Sequence, residues 1–147
     1  MAENTFKLEQ VLVYRREMEK ARKQEFSASK QVLELADQEL QQEEELVRIL
    51  THEFQCCQQD IECIDDIRMY ADFFARKRET IGQQKEKIEQ LSLIMNEKRS
   101  DLMEASKEKK VLESLKEKKT VEFRQEMATK ERNFLDEISI QKKVNLT

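Results

Sequence analysis

The stretch from Leu33 to Phe54 reads LELADQELQQEEELVRILTHEF. Leu33, Ala36, Leu40, Val47, Leu50 and Phe54 fall on alternating steps of three and four, with Glu43 the polar member of the series. That spacing keeps one stripe on one face of an α-helix, and a period of 3.5 winds such a helix around a partner in a left-handed supercoil. Carried outward in both directions, the same steps run through Leu8, Leu12, Arg15, Glu19, Arg22, Phe26 and Ser29, and through Cys57, Ile61 and Ile64. Twelve of the seventeen positions are apolar, against 38% for the chain. The polar members cluster between Arg15 and Arg22, so the seam is expected to be weakest there.

A second seam starts at Phe74 and passes through Ile81, Ile88, Leu91, Met95, Leu102, Ala105 and Leu112. Its step then changes: Leu115, Lys119, Phe123 and Met127 follow at intervals of four, and Phe134 and Ile138 come after. Runs of four lengthen the repeat beyond 3.5 and unwind the supercoil locally. The last third is expected to be a straighter helix that pairs differently.

The rest of the composition limits how often the chain turns. It has 147 residues, no proline and one glycine, Gly82. Tight turns draw on Gly for positive φ and on Pro for a pre-set φ. The stretch Gln58–Asp66, lying between the seams, is the most turn-like, since Asp bonds its own nearby backbone. The reading is therefore all-α: a long antiparallel two-helix coiled-coil hairpin forming a single domain over residues 1–147. The first helix is expected at about 6–57, the tip at about 58–66 and the second helix at about 67–143. Arms of that length measure roughly 80–110 Å, and the second extends past the first. An unbroken single helix is the alternative, because Ile61 and Ile64 continue the first seam.

Charge is distributed in blocks. Residues 1–30 carry a net +2, residues 31–75 a net −10 and residues 76–147 a net +4. The acidic block covers much of the first arm and the tip. Lysine and arginine collect where the two termini meet.

Most chemistries lack parts here. One glycine excludes a phosphate-cradling loop. His52 is the sole histidine, so catalytic triads and His-rich metal sites cannot be assembled. Carboxylates are plentiful, but on solvated helix faces nothing separates their pKa values for acid–base work. His52, Cys56, Cys57 and Cys63 are the one site-like cluster. His52 and Cys56 share a face, whereas Cys57 points to the seam and Cys63 needs a turn to return, so no metal is expected. An odd number of cysteines with two adjacent reads as reduced thiols in a cytosol. No apolar run approaches the roughly 20 residues that span a bilayer, and the N-terminus lacks the pattern of a secretory signal. Interleaved acids, a sequence pI near 5.3 and the lack of aromatic stacking platforms argue against nucleic acid. The chain is expected to be a non-enzymatic binding protein without cofactors.

Residues at the two ends add a resemblance. The run Phe6 to Arg16, FKLEQVLVYRR, is similar to the opening of the flagellar FliJ family, a soluble component of the flagellar type III export apparatus. The segment Leu112 to Lys119, LESLKEKK, with Phe123, Arg124, Glu131 and the run Leu135, Asp136, Glu137, resembles that family's closing segment. Tyr70, soon after the expected tip, fits a recurrent tyrosine. Several relatives carry a glycine at the tip, and this chain has none there.

The resemblance implies a stalk-like antiparallel hairpin whose paired ends enter the hexameric export ATPase and promote its assembly and activity. It also implies contacts with the cytoplasmic domain of the export gate and with export chaperones. Carried over by position, Tyr14, Arg15, Leu112, Leu115, Lys116, Phe123, Leu135, Asp136 and Glu137 would serve the ATPase end. Tyr70 and Phe73 would face the gate. The implied location is cytoplasmic and peripheral to the inner membrane through partners, and the free protein is expected to be a monomer. Two alternatives remain at this point: a structural coiled-coil tether, and an export-substrate chaperone without an ATPase partner. For every apolar residue named, seam packing is the competing role.

Overall fold

The computed structural model describes residues 5–57 and 64–146. It is all-α, with two long helices packed against each other: α1, Glu9–Cys57, and α2, Ile64–Asn145. They are 49 and 82 residues long. Glu, Lys, Gln, Leu and Arg dominate both, and these lose little side-chain freedom in a helix. The ends are marked by charge. Glu9 sits in the first turn of α1, Asp65 and Asp66 in that of α2, and Lys142 and Lys143 in the last turn of α2. Each sign complements the helix dipole at its end. A turn precedes α1, with the Glu9 amide donating to the Phe6 carbonyl at 3.1 Å. Ile64, Asp65 and Asp66, read from sequence as part of the tip, are helical, and the remainder of the expected tip, 58–63, lies outside the described residues.

The chain forms two compact units, one of residues 1–20 with 103–147 and the other of residues 21–102. In each, α1 and α2 pair antiparallel. In the first unit Glu9 meets Lys116, Arg15 meets Glu108, and Glu19 meets Ser106 and Lys109. In the second, Glu25 meets Lys98, Glu43 meets Lys77, and Phe54 meets Tyr70.

The α1 seam is occupied between its ends; Leu8 and Ile64 at those ends are exposed, and Ile61 lies outside the described residues. From Leu12 to Cys57 all fourteen seam positions are half-buried or buried. A two-helix layer covers a side chain from one direction, so among the described residues only Leu12, Ala36 and Ala105 are buried, and only Leu12 fully. Phe54, Tyr70, Phe73 and Phe74 form an aromatic cluster in the second unit, with centroids 5.1 to 6.4 Å apart. Such pairs contribute about 0.5–1.5 kcal/mol each beyond the area they bury.

In α2 the expected positions from Phe74 to Leu112 are all half-buried or buried. Beyond Leu112 the structure departs from the expected line. Leu115, Lys119 and Met127 are exposed, Lys116 and Thr120 take covered positions instead, and Phe123 is half-buried as its place in the series requires. The pairs Leu112 and Lys116, Phe123 and Met127, and Phe134 and Ile138 recur at intervals of eleven. An eleven-residue repeat has 3.67 residues per turn, so the stripe neither drifts left-handed as a heptad does nor leaves its face quickly.

Candidate partner-binding surface

The α2 stripe in the first unit has two halves. From Ala105 to Lys116 it faces the start of α1, as the Arg15–Glu108 and Glu9–Lys116 pairs mark, and Thr120 and Phe123 beyond are half-buried. From Arg124 to Leu146 every residue is exposed except Ile138, which is half-buried. The apolar members of that segment include Met127 at 37% exposure, Phe134 at 61%, Leu135 at 55% and Ile140 at 62%. Met127, Phe134 and Ile138 prolong the stripe that upstream packs on α1. Leu135 and Ile140 widen the apolar surface to other faces. Isolated exposed apolar residues need no explanation, but a continued packing stripe without its packing partner marks an interaction surface.

The positions named from the resemblance divide among these halves. Tyr14 is 53% exposed and Leu115 is 39% exposed. Leu135, Asp136 and Glu137 lie together on the uncovered segment. Leu112 and Phe123 are half-buried on the stripe. Lys116 is tied to Glu9 at 2.8 Å and borders a mixed-charge cleft of about 410 Å³ shared with Arg16, Glu113 and Arg124. Arg15 occupies a seam position, pairs with Glu108, and holds its guanidinium carbon 5.9 Å from the centroid of the Tyr14 ring. In the second unit Tyr70 packs in the aromatic cluster, and Phe73 lies against Phe74 with Lys77 5.6 Å over its ring. Met127 and Phe134, exposed, and Ile138, half-buried, were legible as seam positions, but their spacing alone does not say that the facing helix is missing.

Chemistry of other kinds has little to work with. Cys56 Sγ lies 3.7 Å from His52 Nε2, Cys57 is half-buried, and Cys63 lies outside the described residues. Among the described residues no three His, Cys, Asp or Glu converge to hold a metal. No described helix is long and apolar enough to cross a membrane.

The flagellar FliJ protein family matches residues 4–145. The chain belongs to that family. The match spans both helices and the uncovered end of α2. A search of curated proteins and one of solved structures return no match. As a FliJ family member the protein is a flagellar export-related component, of a family whose role is non-catalytic.

Proposed function

We propose that this FliJ family protein is the stalk-like coupling element of the flagellar export machine. Its first unit, with the uncovered end of α2, binds the hexameric export ATPase and promotes ring assembly and hydrolysis. Tyr14, Arg15, Leu112, Leu115, Lys116, Phe123, Leu135, Asp136 and Glu137 belong to that end. Leu112 and Phe123 act chiefly by holding α1 to α2. Leu135, Asp136 and Glu137 are exposed and contact the ring. Tyr70 and Phe73 serve the export gate, and export chaperones are further partners. The protein works in the cytoplasm and meets the inner membrane through these partners.

The observation that carries this reading is the packing stripe of α2 continuing beyond the cover of α1. A helix face already shaped for a neighbour needs little reorganisation to accept one. The test is ATP hydrolysis by the cognate export ATPase at dilute concentration, with this protein titrated in and ring formation followed in parallel. A saturable rise in rate together with ring assembly, lost on truncation after Lys119, is expected. An unchanged rate and oligomeric state would overturn the reading and leave a structural tether as the better account.

A further inference from the structure

Gly82 stands in the interior of the 82-residue helix α2, and nothing inside the protein asks for a glycine there. No described glycine has positive φ. A Cβ built at Gly82 would meet no heavy atom within 4 Å, so neither α1 nor α2 requires the space. Glycine in a helix interior is nonetheless destabilising, because its backbone loses more freedom on folding than that of any other residue. The space beside Gly82 is a cavity of about 550 Å³. Val47, Phe74 and Ile81 line it with apolar surface, and Arg78 and Lys85 stand at its edge.

Of the two cations Arg78 is the freer. Lys85 reaches Glu44 only at 3.7 Å and keeps 62% of its side chain exposed. Arg78 is exposed and makes no ion pair among the described residues, whereas its neighbour Lys77 is engaged with Glu43 at 2.6 Å. The notch thus combines an apolar floor, bare backbone and two cations at its edge. A missing Cβ lets another helix approach the backbone closely, and a positive rim selects carboxylates beside the entering group.

We propose that the Gly82 notch is a docking site for an acidic amphipathic helix of a partner protein. One large apolar side chain of that helix enters over Gly82 onto Val47, Phe74 and Ile81. Glutamate or aspartate one turn away on either side meets Arg78 and Lys85. The site goes beyond the stalk function, since it uses none of the residues assigned to the ATPase end or to the gate.

The single glycine makes the test direct. In an ¹⁵N-labelled full chain the Gly82 amide is one isolated resonance, identified by its loss in Gly82→Ala. The probe is a stapled helical peptide of roughly 20 residues, with one Phe flanked by Glu one turn before and after it. The control peptide carries Lys in place of Glu. The Glu peptide is expected to shift the Gly82 amide saturably and the Lys peptide to leave it in place. In the Arg78→Glu, Lys85→Glu double variant the affinity is expected to fall roughly tenfold or more. Gly82→Leu, followed through the resonances of neighbouring amides, is expected to abolish binding while raising Tm, which separates a filled notch from an unfolded chain. A Gly82 amide unmoved by the Glu peptide, or moved equally by the Lys peptide, overturns the proposal. So does a shift on diluting the protein alone, which would assign the notch to a second copy of this chain.

Discussion

Arg15, Glu19 and Glu43 sit where a coiled coil ordinarily places apolar side chains, and each is answered from α2. Arg15 pairs with Glu108, and Glu43 accepts from Lys77 at 2.6 Å. Glu19 accepts from Ser106 and Lys109, both at 3.0 Å. Arg22, the remaining charge of the weak zone, bonds Glu25 within α1, and Lys98 approaches the same carboxylate from α2. The Arg22 hydrogen bond, against some desolvation and aided by Lys98, holds the Glu25 carboxyl below the usual glutamate range. Charged seam positions cost packing but reject registers in which they have no partner. The Glu19–Lys109 pair is the most enclosed in the first unit, at 23% and 21% side-chain exposure. Replacing Glu19 by Lys is expected to cost about 1–2 kcal/mol in a denaturant melt, through lost pairing and like-charge repulsion. The double variant Glu19→Lys, Lys109→Glu is expected to recover most of it, and a cycle with no coupling would count against a register role. Gln84 shows the opposite case: its side-chain oxygen is buried without a hydrogen-bond partner on the α2 seam, a polar atom the pairing does not answer.

Elements of unequal length explain where the candidate surface lies. α1 starts at Glu9 and α2 ends at Asn145, so the packing stripe of α2 outruns its cover. Phe123 and Phe134 occupy equivalent places in the eleven-residue repeat, one half-buried and the other 61% exposed. Phe123→Ala is expected to destabilise the protein by about 1–2 kcal/mol, at or below the low end for a core aromatic because Phe123 is only half-buried. Phe134→Ala is expected to change stability by less than about 0.5 kcal/mol, as for an exposed site. ATPase stimulation should fall in both, in Phe134→Ala without any loss of Tm. Equal stability losses at the two positions would mean that α2 finds cover past Phe123 within the free protein.

At the scale of the chain, α1 and α2 run antiparallel to each other in each unit. Intramolecular pairing of the α1 seam then consumes the surface that a second copy would otherwise use. The free protein is accordingly expected to sediment at the mass of one chain at micromolar concentration. A stable dimer would transfer the uncovered α2 segment from a partner surface to a self-association surface. That the chain is helical, that α1 carries a heptad seam and that its polar breaks fall between Arg15 and Arg22 were all legible in the residues, because helical propensity and periodicity are local properties. The line of burial beyond Leu112 was not. Leu115 and Lys116 lie on neighbouring sides of the same helix, and either step continues an apolar pattern. Only the placement of Glu9 and the end of α1 selects Lys116 for the covered position and leaves Leu115 exposed. The sequence by itself determined the helices, the stripes as far as Leu112 and the family. The tertiary structure decided which charges answer one another and where the cover stops, because both depend on residues 34 to 97 or more positions apart in the chain brought side by side.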